Sequence, residues 1–185
     1  MGTFLYFAYG SNMLIERLRA PGRCPSAAHP RLAWAHGYRV VFWKMGEDGS
    51  GKATLIKSAN PADQAIGVVF DISEHELPAL DRAEGAGHGY HRDDGFKLVL
   101  DGEVCATACT YIAPQTHCDD KLIPYDWYLE LVLAGAHQNK LPDSYIAALR
   151  AVAVKPDPDP DSKGRLAALS LLKQAGYEPR KSAFR

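Results

Sequence analysis

The sequence predicts an α+β fold: a small mixed, mostly antiparallel β-barrel with short helices flanking it. Three observations carry this expectation. Short apolar, β-branched and aromatic runs separated by glycine-rich turns dominate the chain up to Ile112, whereas the last third carries helical spacing. Strands first and helices afterwards is the pattern of an α+β chain, and short strands with glycine-rich turns suit a small barrel. At 185 residues the chain is long enough for one well-buried domain and short for two, so one domain spanning 1–185 is expected.

The elements follow in order. Residues 3–13 read TFLYFAYGSNM, an aromatic strand that stops at a glycine and two small polar residues, and Met13–Leu18 opens a short helix. Gly10-Ser11-Asn12 is ordinary turn chemistry, since glycine reaches positive φ and asparagine tolerates the left-handed region. The same strand, loop and helix start also aim several backbone N–H groups at one spot, where they hold a carboxylate or a developing oxyanion. Arg31–Lys44 reads as a strand or bent strand pair with a bulge at Gly37. Strands over Ala53–Lys57 and Ala65–Ile72 follow, each preceded by a turn, at Glu47–Gly51 and Asn60–Asp63. Ser73 and Glu76 form the spacing of a capping box for a helix through Leu77, Leu80 and Asp81, which Pro78 is expected to distort. After the glycine-rich Gly85–Tyr90 come strands over Phe96–Leu100 and Glu103–Ile112, joined by the hairpin turn Asp101-Gly102, for six strands in all.

Tyr125–His137 and Pro142–Val152 read as a helical pair, with Pro142 suited to a first helical position. Residues 154–163, centred on Pro156–Asp161, read as an extended linker, with an acidic metal loop as the alternative; 164–185 is a helix closed by Gly176, then a tail.

Composition excludes some function classes. A net charge of −1 gives no general electrostatic reason to bind nucleic acid or a membrane, and small neutral or zwitterionic partners fit better. The apolar runs are strand-length, and the N-terminus lacks a basic region followed by an apolar core, so a soluble cytoplasmic protein is expected. Cys24, Cys105, Cys109 and Cys118 show no zinc-ligand rhythm and read as structural thiols. His117–Asp120 lacks a partner cluster, and no metal is expected. The oligomeric state stays open, a homodimer included.

One carboxylate stands apart. Glu84 ends a helical turn, follows a core strand and precedes three glycines in five residues. A solvated surface glutamate would account for it, yet a helix C-terminus disfavours an anion. A catalytic role is the other reading.

The segments YFAYGSNM, AIGVVFDI, LDRAEGAGHGY and LPDSYIAALRAV, in this order and spacing over about residues 4 to 152, resemble the γ-glutamylcyclotransferase family. YGSN at the end of the first strand, with a downstream Glu-Gly after a short helix, is the specific part. The resemblance implies a mixed barrel and release of 5-oxoproline from γ-glutamyl amino acids or amines, with no cofactor and no metal. It places substrate binding on Tyr9, Gly10, Ser11 and Asn12, the catalytic glutamate on Glu84, and pocket tyrosines on Tyr90, Tyr128 and Tyr145. The repeated Asp-Pro of the linker and the tail Gly176–Arg185 depart from the family pattern.

The implied reaction explains the residue types. The substrate carries its own nucleophile: its α-amine attacks its γ-carbonyl, closes a five-membered ring and expels the attached amine. A single carboxyl suffices as base and then acid, a role that typically contributes roughly 10²–10⁴-fold. Backbone N–H groups at the loop would fix the α-carboxylate or the oxyanion. Other readings are a γ-glutamylamine cyclotransferase acting on γ-glutamyl-lysine or a protected antibiotic amine, a Ser11 hydrolase lacking the G-x-S-x-G elbow, and a non-catalytic ligand-binding domain.

Overall fold

The computed structural model describes residues 2–101 and 104–180. Its strands are β1 (Thr3–Ala8), β2 (Ala28–His36), β3 (Tyr38–Met45), β4 (Gly51–Lys57), β5 (Gln64–Ser73), β6 (His91–Leu100) and β7 (Val104–Ile112). The helices are α1 (Ile15–Leu18), α2 (Leu77–Glu84), α3 (Asp126–Gln138), α4 (Asp143–Arg150) and α5 (Lys163–Gln174). Five strands close into a mixed barrel in the order β1-β5-β2-β6-β7, and β3-β4 forms a separate two-stranded ribbon. All barrel pairs are antiparallel except β1–β7, which closes the ring through the single parallel pair Tyr6↔Cys109.

The expected α+β barrel is therefore present, but with seven strands among the described residues rather than six. The difference arises at Gly37. It is not a bulge: its φ of 73° makes a turn that ends β2 and sends β3 out of the barrel. The Gly37 N–H donates to the Asp63 carbonyl, and its own carbonyl accepts from Ser58 N–H, so the turn is tied down at both ends of the β4–β5 connection. Strands β6 and β7 pair antiparallel from Leu100↔Val104 onward, and the turn expected at Asp101-Gly102 runs into residues 102 and 103, which lie outside the described residues.

Two local expectations are corrected at α2. Pro78 falls in its first turn, where a missing N–H costs no helical hydrogen bond, and the helix runs on to Glu84. The Ser73 side chain makes no cap. Instead the Glu76 carboxylate accepts from the Ser26 N–H and hydroxyl, and Ser26 Oγ accepts from Ser73 N–H. A long-range bond has displaced the local one.

Helix α3 is the hub of the helical side, with every residue from Asp126 to Ala136 buried. A Cβ built on its Gly135 would lie 2.5 Å from Leu14 N and 2.7 Å from Met13 C, so only glycine lets the helix meet the backbone that follows β1. The Asp-Pro segment, expected as an extended linker, carries its own side-chain turns. Asp157 accepts from the Trp127 indole at 2.8 Å, from Ser162 Oγ at 2.6 Å and from Asp159 N–H at 3.0 Å, while Asp159 accepts from Asp161 N–H at 3.0 Å. These are successive side-chain turns docked on α3, and Ser162 then caps α5 through Arg165 N–H. Beyond α5, Arg180 Nε reaches the fully buried Glu130 at 2.5 Å; the tail from 181 lies outside the described residues.

Among the described residues no helix is long and apolar enough to cross a membrane, and no group of three metal-ligating side chains occurs. His117–Asp120 serves the ribbon instead: Cys118 bridges to Lys44, and Asp119 N–H donates to the Trp43 carbonyl at 2.9 Å.

Candidate active site

Strand β1 hands over to a loop because Gly10, at φ −121° and ψ −144°, starts a 3-10 turn over Ser11–Met13. Met13 N–H closes onto the Gly10 carbonyl at 3.0 Å. The first N–H groups of such a turn have no acceptor within it. Those of Gly10, Ser11 and Asn12 also meet no other carbonyl among the described residues. Gly10 is needed for fit as well: a Cβ there would sit 3.0 Å from Ala53 Cβ and 3.5 Å from the Tyr128 hydroxyl.

This loop forms one side of a pocket of about 310 Å³, counted out to its open mouth and lined by Tyr6, Tyr9, Gly10, Ser11, Asn12, Ala53, Glu84, Tyr90, Tyr111 and Tyr128. Half the lining is tyrosine, and each hydroxyl has a structural partner. Tyr90 donates to the Ala53 carbonyl at 2.7 Å, and Tyr128 accepts from Ala53 N–H at 3.1 Å, so two pocket phenols grip both polar groups of one ribbon residue. Tyr9 donates to the Tyr111 carbonyl, and Tyr111 donates to Asp81 at 2.8 Å. Burial raises the pKa of all five phenols; the charge of Glu84 is next in effect for Tyr6 and Tyr9, and the hydrogen bond to Asp81 for Tyr111. They remain neutral through the physiological range.

Glu84 enters at the end of α2. Gly85, left-handed at φ 65°, stops the helix one residue later, so the side chain projects from the last turn. The anion's unfavourable position at a helix C-terminus is offset by two donors. Asn12 Nδ2 donates to Glu84 Oε1 at 2.5 Å, and Arg23 Nη1 stands 3.6 Å from the same oxygen. Asn12 is fully engaged: it also donates to the Tyr6 hydroxyl at 3.0 Å and accepts from Arg23 at 3.1 Å. A bond to a carboxylate is roughly twice as strong as a neutral one, so Asn12 fixes both the position of Glu84 and its rotamer. Asp81, one helical turn earlier, takes the Tyr111 hydroxyl and Arg92 Nη1 at 2.6 Å and moors α2 to the barrel wall.

Tyr9, Gly10, Ser11, Asn12, Glu84, Tyr90 and Tyr128 are thus gathered around one cavity from β1, β1's loop, α2, its exit loop and α3. Tyr145 is not among them. It lies on α4 with its hydroxyl toward the Ile66 backbone on β5, where burial raises its pKa to about 12. The family resemblance implies a pocket residue at this position, but the helix turns it to the barrel wall. Residues the sequence left unmarked also line or brace the site: Tyr6, Tyr111, Ala53 and Arg23. Tyr111 is two residues from Cys109, the β7 partner of Tyr6, which places both phenols beside the barrel's closing seam. No local pattern marks Ala53 or Arg23.

The closed barrel, whose strand-end loop and one carboxylate line a tyrosine-rich cavity, has close counterparts among known proteins. A solved structure described as a gamma-glutamyl cyclotransferase superposes with a TM-score of 0.81 over 94% of this chain and 99% of its own, at 27% identity. A profile described as the AIG2-like family matches residues 64–149. Over 155 residues the chain is 32% identical to the gamma-glutamylcyclotransferase of Mus musculus and 31% identical to that of Homo sapiens, each alignment covering 81% of this chain and 79% of the relative. The chain belongs to the gamma-glutamylcyclotransferase family.

Proposed function

We propose that this protein is a γ-glutamyl cyclotransferase that releases 5-oxoproline and a free amine or amino acid, with Glu84 as its single general acid and base. The observation that carries the reading is the Glu84 carboxylate, held at 2.5 Å by Asn12 in the same cavity that the N–H loop lines. A bound γ-glutamyl group folds between them. The loop N–H groups of Gly10, Ser11 and Asn12 take an anionic group of the substrate, either its α-carboxylate or the oxygen that gains charge on attack. Glu84 removes a proton from the α-ammonium, the freed amine adds to the γ-carbonyl, and the tetrahedral centre forms. The carboxyl returns that proton to the departing nitrogen as the old amide bond breaks, and the second proton, which the ring nitrogen sheds on becoming an amide, passes by the same carboxyl to the freed amine, which leaves as its ammonium, so the protons balance within one turnover.

The five phenols neither gain nor lose protons in this scheme. They supply a stiff, partly apolar wall that restricts the rotamers of the open-chain substrate, where the remaining rate enhancement arises. On this reading Ser11 is not the nucleophile: among the described residues the cavity lining holds no histidine to activate it. Cys24, Cys105, Cys109 and Cys118 are all free thiols, which suits a reducing compartment, and we place the activity in the cytoplasm.

The test is a mass-spectrometric assay of purified protein with γ-glutamyl dipeptides and γ-glutamyl amines, following 5-oxoproline against an enzyme-free control. The expected result is 5-oxoproline from wild type, loss of turnover in Glu84→Gln with retained fold, and a smaller loss in Ser11→Ala. Near-wild-type turnover by Glu84→Gln would remove Glu84 from the mechanism, and glutamate in place of 5-oxoproline would establish hydrolysis.

A further inference from the structure

Strands β3 and β4 place Lys44 directly opposite Lys52. Like charges in that arrangement destabilise a strand pair, so each requires an anion or another compensation. Lys52 has both: its ammonium bonds Asp48 Oδ2 at 2.6 Å and stands 4.8 Å from the ring centroids of Trp127 and Tyr128. Lys44 has only a ring. Its Nζ stands 5.0 Å from the centroid of Tyr90, its stem is packed so closely on Gly89 that a Cβ there would fall 3.0 Å from Lys44 Cε, and no carboxylate pairs with it among the described residues.

The two lysines therefore flank the pocket just outside its lining, each on the ring of a tyrosine that lines it and grips Ala53. A third cation, Arg17, lies within electrostatic range of Lys52, Tyr128 and Glu84, and its Nε is buried without a hydrogen-bond partner. The nearby carboxylates, Glu84 and Asp48, are both already engaged. The surroundings of the site are short of negative charge on the ribbon side.

On this reading the cavity, open at its mouth, takes the γ-glutamyl half and leaves the departing group at that mouth. From the unpaired ammonium beside that lining we infer that Lys44 is a specificity-determining residue, the receptor for a carboxylate carried by the leaving group. This rests on the cyclotransferase reading and narrows it: a leaving amine that is an α-amino acid is favoured over one whose carboxylate is absent or masked.

The experiment compares γ-glutamyl-alanine with γ-glutamyl-alaninamide, which differ only in that charge, on wild type, Lys44→Met and Lys44→Arg. Wild type is expected to prefer the free acid in kcat/KM by on the order of tenfold, mainly through KM, the range of a partly screened charge-assisted bond. Lys44→Met should bring the acid-to-amide ratio close to one, and Lys44→Arg should restore it. A ratio unmoved by Lys44→Met, or an equal loss on both substrates, overturns the assignment while leaving the cyclotransferase reading intact. If wild type releases 5-oxoproline from neither compound, the cyclotransferase reading falls, and this one with it.

Discussion

Replacing Asn12 by alanine removes the shortest polar contact of Glu84 without touching the carboxylate itself. The side chain makes three bonds: to Glu84 Oε1 at 2.5 Å, to the Tyr6 hydroxyl at 3.0 Å and from Arg23 at 3.1 Å. A hydrogen bond to a charged group contributes about 1.5–3 kcal/mol, and about 1.4 kcal/mol is a factor of ten in rate. If that bond holds the carboxylate where it meets the α-amine, Asn12→Ala lowers kcat by roughly 10- to 100-fold. KM should move little, since the loop N–H groups stay in place. Asn12→Asp should be worse than alanine, because it sets a second anion against Glu84 with Arg23 as their shared counterion. The assay is steady-state 5-oxoproline release, with thermal melting to confirm that each variant is folded. A kcat within threefold of wild type in folded Asn12→Ala, or a loss confined to KM, would refute the idea that Asn12 orients the base.

Two further perturbations probe the frame around the site. Gly135→Ala drives a methyl into the Leu14 and Met13 backbone at 2.5 and 2.7 Å, which cannot yield as a flexible side chain would. Overpacking of this kind costs about 1–3 kcal/mol, so the melting temperature should fall by several degrees together with kcat; an unchanged melt would show that α3 shifts freely. Arg180→Ala leaves Glu130, which is 0% exposed, without its cation, a loss on the order of 3–5 kcal/mol. Urea unfolding should show it, and Glu130→Gln in the same chain should recover part of the loss; identical midpoints for wild type and Arg180→Ala would mean that the pair contributes nothing.

Much of this architecture is legible in the chain because its determinants are local. The alternation of strands and turns, the glycine stop after Glu84 and the spacing of YGSN are each written within a dozen residues. What was not legible depends on distant partners. Gly37 has the same sequence signature as a bulge and a turn, and only the two bonds to Ser58 and Asp63 decide between them. The Ser73–Glu76 capping pattern lost to Ser26, which lies 50 residues away from Glu76 in the chain. The Asp-Pro repeat has the composition of a linker, yet the indole of Trp127 docks it. The resemblance points to Tyr145, which stays outside the lining, whereas no motif marks Tyr111, which barrel closure at Tyr6↔Cys109 brings to the cavity.

The separation of the β3–β4 ribbon from the barrel divides the labour of the cavity between two pieces of chain. The carboxylate and the N–H loop are built on barrel strands and α2, whereas Ala53 and the two lysines hang on a ribbon with its own hydrogen bonding. Under the proposed reaction, ribbon side chains outside the lining, Lys44 first, can be exchanged while Glu84 and the N–H loop stay in place. A library that tests a change of leaving amine under that proposal therefore starts on the ribbon, residues 38–57, with Ala53 kept.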